Sequence, residues 1–241
     1  MEETEQPRLP TLRVKRKPWN LARIASIFLS GVREVDSQRE PFARYWDQQN
    51  ELALASPGPL WVALGDSATQ GVGASSPQTG WVPEVLARLR ETFDPSWRVV
   101  NLSMTGARMF HVVGEQIPLI DRFDLEPALV TCMIGTNDFI AGARAETMRE
   151  DAESLVTSLP AGTLLGKIAG PGGRARNRAI RGPFAAAADK GDVTLFEPYR
   201  WPERSNTLAA DRFHPGDKGY RFIADGAWSA IAAKLGEPLE G

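Results

Sequence analysis

The sequence predicts an α/β fold in which a parallel sheet is covered by helices on both faces. Two observations carry that expectation. After Pro59, short apolar runs alternate with longer stretches of helical spacing. The polar blocks able to do chemistry each follow one of those runs, at the strand ends where an open parallel sheet gathers its reacting groups.

The elements follow in order. Residues 1 to 18 are polar, carry Pro7, Pro10 and Pro18, and are expected to be a disordered or loosely attached tail. Residues 19–58 read as a helical N-terminal extension. Leu21, Ile24, Ile27, Phe28 and Val32 recur at helical spacing, and a second helix is expected over Phe42 to Leu54, closed by Pro57-Gly58-Pro59. Such an extension either packs on the main domain or, being basic and amphipathic over residues 19–35, touches a membrane surface. Residues 59–241 form the main domain. Its expected strands are Leu60–Leu64, Arg98–Leu102, Leu129–Ile134, Thr163–Ile168 and Val193–Phe196. Helices are expected over Trp81–Phe93, Arg108–Ile120, Ala145–Leu159, Ala175–Ala188 and Asp217–Leu235.

Bulk properties narrow the function. With 241 residues, 42% hydrophobic and 24% charged, the chain is an ordinary globular one of a single large domain, with or without the extension. A net charge of −2 gives no reason to expect nucleic acid as a partner. The lone Cys132 cannot form an internal disulfide, and one cysteine with two histidines makes no metal-ligand cluster, so chemistry without metal or cofactor is expected. No run approaches the roughly 20 apolar residues of a transmembrane helix. Leu21 to Val32, preceded by Arg13, Lys15, Arg16 and Lys17, is the best signal-peptide candidate. Arg23 interrupts it, acidic residues lead the chain, and no convincing cleavage site follows. A cytoplasmic protein is the expectation.

Four blocks carry the chemistry. Gly65-Asp66-Ser67 closes the first strand, and the glycine permits the sharp turn that leaves Ser67 at the sheet edge. Alone, this reads equally as a turn serine, and Thr69 breaks the Gly-x-Ser-x-Gly pattern of α/β-hydrolases. Asn101 to Gly106 follows the second strand and ends on a glycine whose N–H can approach a ligand. Gly135-Thr136-Asn137-Asp138 follows the third and offers the Asn137 amide. Fixed donors of these kinds are what a developing oxyanion requires. In Asp211-Arg212-Phe213-His214 the acid and the imidazole are three apart. Pro215 disfavours helix at His214, so Asp211 can accept from Nδ1 while Nε2 faces Ser67.

The order and wording of these blocks resemble the SGNH hydrolases, the GDSL-like esterases and lipases, over about residues 60 to 235. The family's Ser, Gly, Asn and His correspond to Ser67, Gly106, Asn137 and His214, and its acid three before the histidine to Asp211. The resemblance implies a three-layer, flavodoxin-like sheet with strand order 2-1-3-4-5. It also implies an oxyanion hole made by the N–H groups of Ser67 and Gly106 and the Asn137 amide. Where the family usually has Leu after the nucleophile, this chain has Ala68, which bears on pocket shape and removes no reacting atom.

The expected function is therefore serine ester hydrolysis through an acyl-enzyme on Ser67, on a small-molecule, lipid or carbohydrate ester. Activity should fall as pH drops through about 6–7, where an ordinary imidazole protonates. A thioesterase or acyltransferase would carry the same residues, and so would a silent binding protein on the same fold. His111, on the helix after Gly106, reads as a surface or packing residue, and Asp66 and Asp138 as holders of their loops. Arg174, Arg178 and Arg181 share one helical face that is either solvated or faces an anion. Trp61 and Trp81 read as packing residues.

Overall fold

The five apolar runs pair into one all-parallel sheet, β1 (Leu60–Gly65), β2 (Arg98–Asn101), β3 (Leu129–Met133), β4 (Thr163–Gly166) and β5 (Val193–Phe196), in the order β2-β1-β3-β4-β5. The computed structural model describes residues 9–14, 30–122, 126–168, 170, 173–199 and 206–236. Every residue of β1 to β4 is buried, which is why these segments are apolar without alternation. Only β5, at one edge, exposes a residue of its interior. Each Leu or Val sunk into this core contributes about 1.5–3 kcal/mol.

Helices α1 (Ser30–Ala55), α2 (Ser67–Gln70), α3 (Trp81–Thr92), α4 (residues 109–120), α5 (Thr136–Ile140), α6 (Ala145–Ser158), α7 (Gly173–Asp189) and α8 (Asp217–Leu235) surround the sheet. On one side α3 packs with α8, and on the other α6 packs with α7. Trp61 and Trp81 are fully buried with centroids 5.7 Å apart, and the Trp61 indole donates to Thr131 Oγ1 at 3.0 Å. This is the strand order and layering that the resemblance to the SGNH hydrolases implies. No helix among the described residues is long and apolar enough to cross a membrane.

Two elements differ from expectation. The first is α1, a single 26-residue helix that runs through Pro41, where a second helix was expected to begin at Phe42. Its buried residues Val35, Phe42, Ala43, Trp46, Asn50 and Ala53 lie on one face, and Pro41 is exposed. The stretch Arg33 to Glu40 carries almost no apolar signal because it is held by polar bonds. Gln38 accepts from the Gly73 N–H at 2.8 Å and donates to the Ala74 carbonyl at 3.1 Å. The expected helix at Leu21 to Phe28, and residues 19–29 of the membrane-contact expectation, lie outside the described residues. So do residues 1–8 and 15–18 of the expected tail. Residues 9–14 of that tail pack on the protein: Leu9, Leu12 and Val14 lie against the core, and the Arg13 guanidinium meets Glu40 at 3.1 Å and Asp47 at 2.8 Å.

The second difference is in α4. Its middle, Val112–Gln116, is a π-turn between α-helical ends Met109–His111 and Ile117–Ile120. Gly114 and Pro118 flank or enter that stretch; one has no Cβ and the other no N–H, and both weaken the α register. The wider turn delivers Gln116 to the end of β1.

Candidate active site

Ser67 opens α2 directly after β1, and Asp66 caps that short helix by accepting from the Ala68 N–H at 3.0 Å. The turn needs Gly65 (φ +153°), where a Cβ would lie 2.3 Å from Thr69 Oγ1 and 2.5 Å from the Met133 carbonyl. Gln116, fully buried, takes the Gly65 N–H at 2.9 Å and donates to the Gly65 carbonyl at 2.8 Å. The strand end beneath the serine is thereby held on both sides, by Gln116 and by the ladder in which Gly65 pairs with Met133 of β3.

His214 reaches Ser67 from 147 positions away. Its Nε2 is 3.0 Å from Ser67 Oγ, and its Nδ1 is 2.5 Å from Asp211 Oδ2. The other carboxylate oxygen of Asp211 accepts from the Phe213 and His214 N–H groups, each at 3.0 Å. Arg212 takes a left-handed conformation (φ +56°) to close this small loop. Burial alone would raise the Asp211 carboxyl; bonds from the imidazole and the two N–H groups outweigh it and hold the acid below its ordinary range. Behind His214 lies Gly73, where a Cβ would sit 2.7 Å from the histidine Cβ.

The loops after β2 and β3 bring Gly106 and Asn137 to the same edge. The strand order sets β1 between β2 and β3, so these loops flank the serine. Gly106 has φ +85° and nothing within 4 Å of where a Cβ would be, so its front is open. Its loop is tied to the Gly65–Gln70 block by Met104 N–H to the Gly65 carbonyl at 3.2 Å, and by Gln70 Oε1, which accepts from Thr105 N–H at 3.0 Å and from the Thr105 hydroxyl. The Asn137 amide donates to the Ala107 carbonyl at 2.9 Å and to Asp66 Oδ2 at 3.3 Å. Asp66 is wholly enclosed; burial, helped by the nearby Asp138 charge, pushes its carboxyl up to about 7.

Several positions read only as background in the sequence hold this frame together. Asn101 accepts from both the Ser103 N–H and hydroxyl and donates to the Thr69 carbonyl. Asn50 of α1 pairs reciprocally with the Asn101 backbone at 2.7 and 2.9 Å, and the Trp46 indole donates to the Gln70 carbonyl at 2.9 Å. Asparagine and glutamine carry no periodic signal, so only the long-range contacts reveal them. His111 caps locally, its Nδ1 accepting from the Arg108 N–H. Arg174, Arg178 and Arg181 are exposed, with Arg181 donating to the Ile168 carbonyl at 3.3 Å. No group of three or more metal-ligating side chains occurs among the described residues.

Ser67, His214 and Asp211 thus stand in line at the carboxyl edge of a parallel sheet, with Gly106 and Asn137 on the loops beside them. The chain belongs to the GDSL-like lipase/acylhydrolase family, whose profile matches residues 63–222, and is thus an ester hydrolase of the SGNH type. No curated protein matches the sequence. Among solved structures, the psychrotrophic esterase EstA from Pseudoalteromonas sp. is 19% identical with a TM-score of 0.62, over 74% of this chain and 99% of its own. The Clostridium thermocellum family 3 carbohydrate esterase is 17% identical with a TM-score of 0.57, over 73% and 96%. The salicylyl-acyltransferase SsfX3 from a tetracycline biosynthetic pathway is 20% identical with a TM-score of 0.55, over 77% and 58%.

Proposed function

We propose that the protein cleaves a carboxylic ester through an acyl-enzyme on Ser67. The observation that carries this reading is the unbroken line from Ser67 Oγ through His214 to Asp211, at 3.0 and 2.5 Å. His214 takes the hydroxyl proton as Oγ bonds to the ester carbonyl carbon, and Asp211 steadies the imidazolium that forms. The carbonyl oxygen, now anionic, is met by the N–H groups of Ser67 and Gly106 and by the Asn137 amide, which gives up the longer of its two bonds, the one to Asp66 at 3.3 Å. The tetrahedral adduct collapses, the C–O bond to the alcohol breaks, and His214 returns the proton to the leaving oxygen. Water then repeats the sequence on the acyl-enzyme and releases the acid.

The surroundings favour an ester with apolar flanks. Phe110, Ile140 and Phe213 are 45%, 56% and 47% exposed, and they follow Gly106, follow Asn137 and precede His214. The Phe213 ring stands edge-on to the imidazole at 4.8 Å, beside the group that hands the proton to the leaving alcohol. Transfer of the acyl group to an alcohol acceptor instead of water would use the same steps, and product analysis with added alcohols separates the two outcomes.

Hydrolysis of p-nitrophenyl esters from acetate to palmitate tests the reading. The wild type should turn over part of the series, and Ser67→Ala should lose at least about 10⁴-fold in kcat. A fluorophosphonate should label the wild type at Ser67 and leave the variant unlabelled. Retained turnover in Ser67→Ala, or a wild type that neither hydrolyses nor labels, would overturn it.

A further inference from the structure

Asp138 is fully buried and carries a charge-bearing side chain that the proposed reaction does not use. Its position is one residue past Asn137, at the start of α5, where a carboxylate would ordinarily cap its own helix. It does not do so: the α5 N-cap is Gly135, with no side-chain cap bond. Both carboxylate oxygens reach instead into the loop that follows β2. Oδ2 accepts from the Met109 N–H at 3.2 Å, and Oδ1 accepts from Arg108 Nε at 3.2 Å. Arg108 and Met109 lie two and three residues past Gly106.

We propose that Asp138 is a positioning residue of the oxyanion hole, whose carboxylate locks the Gly106 loop to the Asn137 turn so that both donors meet the developing charge as one unit. The inference rests on the ester-hydrolase reading above. The two loops issue from different strands, and among the described residues the bonds between them are few. Besides the two made by Asp138, Asn137 Nδ2 donates to the Ala107 carbonyl at 2.9 Å. From the far side, Arg176 of α7 holds the same turn through the carbonyls of Asp138 at 3.3 Å and Phe139 at 2.5 Å. The Arg108 guanidinium lies over the Phe110 ring at 5.0 Å and faces Asp151 at 3.9 Å, so its aim at Asp138 is fixed from two other sides.

Energetics point the same way. A buried ion pair returns little net stability, because desolvating the two charges offsets their attraction; what it supplies is register. Here burial raises the Asp138 carboxyl, and Arg108 and the Met109 N–H pull against that rise. An apolar contact would hold two loops together at lower cost, but without directional control. Direction is what an oxyanion hole needs, since a displacement of about 1 Å can cost on the order of 10²-fold in rate.

The test uses the full-length chain and kcat per active site, with sites counted by fluorophosphonate labelling of Ser67. Asp138→Asn keeps the shape and an acceptor for Met109 while removing the anion that Arg108 faces. Its kcat should fall about 10–100-fold with KM within about threefold, and Asp138→Ala should fall toward about 10²–10³-fold. Inhibition by phenylboronic acid, which forms an anionic tetrahedral adduct on serine, should weaken in parallel with kcat/KM. Arg108→Gln should move the same readouts, and the double variant Asp138→Asn/Arg108→Gln should lose less than the product of the single losses. A merely structural role would lower the melting temperature and the labelled fraction, leaving kcat per labelled site and boronate inhibition unchanged. That result in Asp138→Asn overturns the inference while the hydrolase reading stands. A wild type without esterase activity or Ser67 labelling overturns both.

Discussion

In the proposed reaction, the side of the site that would handle the proton and the side that would hold the oxyanion are built by opposite means. On the first, Asp211, Phe213 and His214 come from one four-residue loop, whose imidazole meets Ser67 at 3.0 Å. On the second, Gly106 and Asn137 come from different strands, and their relation depends on Asp66, Ala107, Arg108 and Asp138. Local construction makes a unit that is either present or absent. Distributed construction makes one that can be detuned by degrees, from several positions that never touch a substrate.

That contrast can be sharpened or broken, and the largest effect falls on the local side. Asp211→Asn should lower kcat by about 10³–10⁴, because an amide can donate to Nδ1 and fix the wrong imidazole tautomer. The melting temperature should move little, and a loss under tenfold would show that the loop does not act as a unit. Next comes Asn137→Ala, which removes a proposed donor and its tie to Ala107. Here kcat should drop by about 10²–10³ with KM nearly unchanged, and an equal rise in KM would assign Asn137 to substrate binding instead.

The smallest effect is on stability. Asp66 holds its proton in the folded chain up to about 7, whereas in the unfolded chain it ionises near pH ~3.9. Between those values the folded state binds the extra proton, so this residue's contribution is full below the lower value and declines as pH rises through the window. Thermal melts of the wild type and Asp66→Asn from pH 4 to 8 should show the variant's stability rising relative to the wild type across that interval. Asparagine is an equally good helix cap, so parallel curves would show that Asp66 is ionised in the folded chain.

How much of this was legible in the sequence follows the same division. The five strands and the helix over Asp217–Leu235 were readable, because burial on both faces of a sheet and one face of a helix writes itself into apolar spacing. Residues 211–214 were readable as a cluster, because Asp211 and His214 are three apart and Pro215 disfavours helix at His214. The supports of the oxyanion side were not. Gln116 reaches Gly65 only because a π-turn rotates it there, and Gly73 matters only because His214 packs on it. In α1, the polar half that ends at Glu40 looked like a break between two helices, since Gln38 docks by hydrogen bonds and not by apolar surface. Periodicity registers what a side chain avoids, namely water, and is silent about which distant amide it meets.

Helix α1 also stands guard over an edge. Strand β2 is the outermost on its side of the sheet, and α1 packs against it. Asn50 takes up both backbone groups of Asn101, and Arg98 turns its guanidinium to the carbonyls of Ala53 and Gly58. An uncovered edge of this kind is a template on which further chains can add strands. The same helix that braces the segment after Ser67 through Trp46 and Gln38 covers that template, so conditions that peel it away are expected to cost solubility together with turnover.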